Sequence, residues 1–228
     1  MRDNFNKIKI SLILNSLIVI FTIFASVIMF SGIKIMHGME PVLESSTFGM
    51  FRFFTVDSNL LIGIISLIFL LKERQLLLGK IKRISTWYYI LKLIGTVSVT
   101  LTFLVVMFYL APISPGGIMS MLQNSNLFFH LIIPVLSITT FCFFENTSKI
   151  RFRKNLYSLI PTFGYTIFYL TNVLIHLENG VVSTKYDWYW FVQGGLHQIY
   201  IVIPSMLLIT LIISIILWII NRKNFKKK

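Results

Sequence analysis

The chain has one cysteine, Cys142, so an intrachain disulfide is excluded. It falls near the end of an apolar run and reads as a small buried side chain. Carboxylates are nearly as scarce, with 8 Asp and Glu against 21 Lys and Arg, and only 13% of the chain is charged. A soluble fold needs polar cover, and 228 residues that are 56% apolar and hold 21 Phe do not supply it. There is no internal repeat, no low-complexity tract and no stretch that reads as a soluble domain. Lipid is the natural solvent for such a chain, and one membrane domain accounts for all of it.

The net charge of +13 raises the question of nucleic acid, and the placement of the charge argues against it. Seventeen of the 21 basic residues fall in four short clusters beside apolar runs. Arg2, Lys7 and Lys9 form the first, and Lys72, Arg74, Lys80, Lys82 and Arg83 the second. Lys149, Arg151, Arg153 and Lys154 form the third, and Arg222, Lys223, Lys226, Lys227 and Lys228 the last. Between them lie six runs near the ~20 residues that a helical span needs: residues 10–33, 50–71, 87–111, 124–144, 157–176 and 195–220. The first is too long for a signal-peptide core and lacks a small-x-small cleavage site, so it reads as a retained helix. The clusters alternate with loops nearly free of Lys and Arg, which predicts both termini in the cytoplasm and the loops near Pro41, Pro115 and Tyr186 outside. Trp87, Tyr88, Tyr89, Tyr157 and Trp218 would mark the inner boundary, and Tyr109, Trp188, Tyr189 and Trp190 the outer one. The expected fold is an all-α, six-helix transmembrane bundle in the cell membrane.

Polar residues concentrate in the outer half. The second span must include FRFFTVDSN, which carries Arg52, Thr55, Asp57, Ser58 and Asn59 into the membrane, where ionisable groups usually face a cavity or each other. The plain alternative is that Arg52 snorkels to the headgroups and pairs with Asp57. On a wheel Arg52, Thr55 and Asn59 share a face, as do Asn126, His130, Pro134 and Ser137 in the fourth span. Tyr165, Tyr169, Asn172 and His176 do so in the fifth, and the sixth opens with Gln193, His197 and Gln198. Helical rise sets Thr55 roughly 24 Å and His130 roughly 21 Å above the inner ends of their helices. A hydroxyl, an imidazole and amides at one depth suit acyl transfer. From the residues alone that reading stands behind a general polar cavity.

Three stretches carry a family likeness: RFFTVDSNLL, NLFFHLIIP, and NVLIHLENG followed by DWYWF. In these the chain resembles the androgen-induced-gene family of membrane hydrolases, which includes the androgen-dependent TFPI-regulating protein, and a related group of bacterial six-span proteins. The Ile-, Lys- and Asn-rich composition also points to a bacterium. The resemblance implies intramembrane threonine hydrolases that cleave fatty-acid esters of hydroxy fatty acids. Their essential threonine corresponds to Thr55 and their essential histidine to His130. Asn59 stands four residues after Thr55, one more than in the animal members, and His176 stands alone where they tend to have a pair, so the catalytic pair carries over more readily than the substrate.

The expectation is therefore a lipid acyl-ester hydrolase, with Thr55 as nucleophile and His130 as base and then acid. Asn59 or Asn126 would donate to the oxyanion, Arg52 would hold a carboxylate or phosphate, and His176, Asn172, Asp57 and His197 would contact substrate. No cofactor is required. His130, His176 and Asp57 have no compact ligand spacing, so no metal is expected. The expected partners are a lipid or fatty-acyl substrate and the membrane. The rivals are a transporter or channel for a small solute and a non-catalytic membrane assembly subunit.

Overall fold

The computed structural model describes residues 2–36, 42–146 and 148–226, so the loop expected near Pro41 lies outside the described residues. Among these, six helices are long and apolar enough to cross a membrane. They are α1 (Phe5–Ser31), α2 (Phe54–Leu77), α3 (Thr86–Ile113), α4 (Ser125–Phe144), α5 (Phe152–Ile175) and α6 (Leu196–Asn224). The membrane-spanning helical bundle is thus present. Its central member is α3, with 61% of its most apolar window buried against 17% for α6. The helix α2 packs between α1 and α3, and two glycines set those distances. A Cβ on Gly63 would lie 2.7 Å from Thr22 Cγ2, and one on Gly95 would lie 2.8 Å from Ile62 Cδ1.

The second span corrects the sequence reading. Residues Thr47–Arg52 form a separate 3-10 turn, and Phe53 is extended at φ −95°, ψ 126°. The membrane helix therefore begins at Phe54 rather than Met50, and Arg52 does not share a helical face with Thr55 and Asn59. At its other end α2 runs through Lys72, Glu73 and Arg74 to Leu77. Thr55 becomes the second residue of the helix, where backbone N–H groups lack intrahelical partners.

The fourth span is locally widened. Residues Phe128–Ile132 form a π turn with His130 at its centre. Pro134 supplies a cause, because proline has no N–H to return to the carbonyl of residue 130. Such widened turns often mark functional positions. The face expected on this helix is the buried one, since Asn126, His130, Pro134 and Ser137 are all buried. Ser137 also hydrogen-bonds Thr96 of α3 at 2.8 Å.

Contacts sort the two ends of the bundle. Trp218 Nε1 donates to the Ile150 carbonyl (2.9 Å) and Thr86 meets Ser148 (2.7 Å), which gathers the basic clusters at one end. At the other end Asn124 Oδ1 accepts the N–H groups of Ile35 and Met36, both at 2.9 Å. The α5–α6 loop opens there with a small antiparallel hairpin, Leu177–Glu178 against Val181–Val182. Its turn is Asn179-Gly180, both at positive φ, a pairing suited to a two-residue hairpin.

Candidate functional site

The aromatic cluster DWYWF, read from sequence as an interfacial belt, is folded inward. Asp187 is fully buried. Its Oδ1 accepts the Tyr169 hydroxyl and the Phe191 N–H, and its Oδ2 accepts the Val192 N–H and the Gln193 side-chain amide. Four donors and no acceptor make this a site for an ionised carboxylate, which fixes the loop. The loop so held places Tyr189 against the start of α2, where its hydroxyl oxygen accepts the Phe54 N–H at 2.8 Å. Tyr165 seals the same junction by donating to the Arg52 carbonyl at 2.5 Å.

Beneath this loop lies a slot walled by α3, α5, α6 and the first turn of α2. Thr55 and Tyr189 line it, with Thr102, Val106, Tyr169 and Met206 among the other walls. Its atom-free space is about 740 Å³ counting the open mouth, most of it too close to the walls to hold a water. The space is therefore narrow, and its walls are mostly apolar. Thr55 is 4% exposed. Burial also pushes the Tyr189 phenol up to about 12, so it keeps its proton at neutral pH.

His130 is fully buried, and its Nδ1 lies 2.6 Å from the Met121 carbonyl. A carbonyl only accepts, so Nδ1 carries the proton and Nε2 presents a lone pair. That Nε2 has no hydrogen-bond partner among the described residues. Asn59 joins the two helices, because its amide donates to the Thr55 carbonyl (2.7 Å) and to the Phe129 carbonyl (3.1 Å), next to His130. Asn59 thus links the backbone of Thr55 to that of Phe129, the neighbour of His130, while His130 itself does not line the slot. Among the described residues no hydrogen bond joins them directly.

The other candidates have different places. Both Asn59 N–H groups go to carbonyls, so as the site stands this side chain has no donor left for an oxyanion, and one Asn126 N–H goes to the Val42 carbonyl at 2.8 Å. Arg52 lies over the rings of Phe53 and Trp188, 4.7 and 5.7 Å from their centroids, and makes no ion pair with Asp57. Asp57 lines a separate groove between α2 and α5. Asn172 donates to the Tyr186 carbonyl at 2.7 Å and His176 stacks on the Tyr186 ring at 3.5 Å, so both brace the loop. His197 is exposed in the turn that opens α6 and does not line the slot. Among the described residues no group of three His, Cys, Asp or Glu could hold a metal.

Tyr189 and Asp187 are the residues that sequence reasoning passed over. A second polar centre was also underread, at the basic end. Lys92 Nζ meets Glu145 (3.3 Å), Asn15 Oδ1 (2.6 Å) and Ser66 (3.0 Å), and Asn15 in turn donates to Glu73 (3.3 Å). The spacing of Asn59, Ile62, Ser66, Phe69 and Glu73 along one buried face of α2 is the signal that could have found Glu73. Comparison of the chain with protein-family models, curated proteins and solved structures gives no match.

Proposed function

We propose that the protein is an intramembrane hydrolase of a lipid acyl ester, with Thr55 as nucleophile and His130 as base. The observation that carries this reading is a buried hydroxyl in the wall of a narrow apolar slot, on a residue whose backbone carbonyl is linked through Asn59 to the helix turn whose histidine has, among the described residues, an unpartnered Nε2. The acyl chain occupies the slot and sets its ester carbonyl against Thr55. The hydroxyl oxygen attacks that carbon while His130 Nε2 takes the proton. The Tyr189 O–H, which lines the same slot, holds the developing oxyanion, and the dipole at the start of α2 adds to it. The carbon–alkoxy bond then breaks, and the departing oxygen takes the proton from Nε2. Water repeats the sequence on the acyl-threonine, which frees the fatty acid and returns the proton to Thr55. The step requires the Thr55 hydroxyl and His130 Nε2 to approach one another when substrate enters, as catalytic hydrogen bonds commonly tighten only in the complex.

A solute carrier or channel is the less supported reading, because the half of the bundle below the slot is filled by the Lys92 network, whose Lys92, Asn15 and Glu145 are buried. The charge pattern adds an orientation, with both termini in the cytoplasm and the slot in the outer leaflet. A reporter fused after Lys228 is expected to be active only in the cytoplasm, and activity on the far side overturns that orientation. The chemical test is a fluorophosphonate probe applied to the purified chain. Labelling mapped to Thr55 and absent from Thr55→Ala supports the reading. Labelling that survives in Thr55→Ala refutes Thr55 as nucleophile.

A further inference from the structure

At the basic end a groove of about 820 Å³ opens between the start of α1, the α2–α3 connection and the α4–α5 connection. This volume falls within the ~300–1,000 Å³ typical of small-molecule sites. Its floor is apolar, built from Phe5, Ile8, Leu76, Leu77 and Ile84. Its rim is basic, with Lys82, Arg83 and Lys149 all exposed, and no carboxylate lines it. Among the described residues none of these three cations makes a hydrogen bond or ion pair. Lys9 adds a fourth charge beside the groove, with its Nζ 4.4 Å from the centroid of the Phe5 ring. Thr86 and Ser148 meet at 2.7 Å and tie the two connections into one wall.

We infer that this groove binds an anionic glycerophospholipid from the leaflet at the basic end of the bundle. The argument is complementarity of charge and polarity within one concavity. A phosphodiester needs cations that are not already neutralised, and the rim supplies three. The glycerol and first acyl carbons need apolar contact, and Leu76, Leu77 and Ile84 supply it. The groove lies at the ends of α2 and α3, at the level where headgroups meet hydrocarbon, and basic pockets between helices at that level recognise anionic headgroups. A soluble anion would use the rim and leave the floor empty. A zwitterionic lipid would bring its own ammonium against the uncommitted cations. The site is separate from the slot at the aromatic end and does not depend on what the slot does.

The test uses the full chain, purified in a neutral detergent and titrated with fluorescent phosphatidylglycerol or phosphatidylcholine. The wild type is expected to prefer phosphatidylglycerol. Substituting Lys82→Gln, Arg83→Gln and Lys149→Gln together is expected to weaken phosphatidylglycerol binding by roughly tenfold or more, given the contribution of each cation near a lipid surface. A control triple, Lys80→Gln, Arg151→Gln and Arg153→Gln, removes the same charge from exposed positions outside the groove and is expected to change binding by less than about twofold. Elution profiles and melting temperatures check that both triples fold. Lys82→Arg with Lys149→Arg, which keeps the charge, is expected to retain binding. Equal loss in both triples means diffuse surface attraction and overturns the proposal. Displacement of the lipid by millimolar inorganic phosphate means a site for free anions and overturns it as well. Equal affinity for the two lipids also refutes it.

Discussion

At the basic end of the bundle Lys92 is surrounded by Glu145, Asn15 and Ser66, and Asn15 reaches on to Glu73 and Ser11. At the aromatic end His130 Nε2, Asn59 Oδ1, Asn126 Oδ1 and Arg52 Nε are buried and have no hydrogen-bond partner among the described residues. The basic end has exceptions of its own in Glu145 Oε2 and Asn146 Oδ1, but its charged nitrogen is fully engaged. Buried polar atoms in folded proteins are nearly always paired, so a cluster left open asks for an explanation. The Lys92 network touches α1, α2 and α3 and the end of α4, and lines neither the slot nor the two grooves, which fits a clamp between helices. None of the four open residues lines the slot itself, and Asn59 is tied to it through the Thr55 carbonyl, which fits a polar layer bordering a ligand site. The pairing of polar atoms distinguishes the two regions better than their composition does.

The contrast predicts that stability and activity separate between the two ends. The largest effect on stability belongs to the clamp. Lys92→Ala leaves two buried carboxylates without their cation and is expected to cost about 3–5 kcal/mol. Thermal unfolding in detergent reads this, and a melting temperature close to that of wild type would remove the distinction. Next comes Tyr189→Phe, which keeps the ring and deletes the oxyanion donor. It is expected to lower kcat by about 10²–10³-fold with a smaller change in KM, and steady-state kinetics on one ester separates the two parameters. Unchanged kcat would assign Tyr189 to holding the start of α2 and nothing more.

Asp187→Asn follows. It sets an amide where Tyr169, Phe191, Val192 and Gln193 all donate, and is expected to cost about 1.5–3 kcal/mol through lost charged hydrogen bonds. Hydrogen exchange is expected to rise in residues 183–198 and not near Lys92. A uniform rise over the whole bundle would mean that the loop is not a separate unit.

The six spans and the gathering of basic clusters at one end were legible in the sequence, because hydropathy and charge placement answer directly to the bilayer. The buried face of α4 was legible too, through the spacing of Asn126, His130 and Ser137. Arg52 was misplaced because FRFF is as compatible with helix as the residues after it. What ends the helix is the extended backbone at Phe53, braced by Tyr165 and Tyr189 from far along the chain. Glu73 and Glu145 were read past because each stands near Lys and Arg in what looked like a solvated connection, while their partner Lys92 lies on another helix. Asp187 and Tyr189 were hidden for a similar reason. Interfacial aromatics are common enough that DWYWF carried no sign of folding inward.

The smallest stability effect is expected at Thr55. Thr55→Ala removes one hydroxyl beside a cavity and is expected to change stability by less than about 1 kcal/mol, within the worth of a single hydrogen bond. A large loss would make the hydroxyl part of the packing and blur the contrast with Lys92.

That near-silence in stability is what makes Thr55 the place to test the central claim. The measurement is turnover of a panel of long-chain acyl esters by wild type, Thr55→Ala, His130→Ala and the double variant, each purified in detergent with matched elution profiles. The account predicts that the wild type cleaves at least one ester. Each single variant loses roughly three orders of magnitude or more, and the double variant loses little beyond that, because nucleophile and base act as one unit. Near wild-type turnover by Thr55→Ala, or a well-folded wild type that cleaves none of the esters, would contradict it.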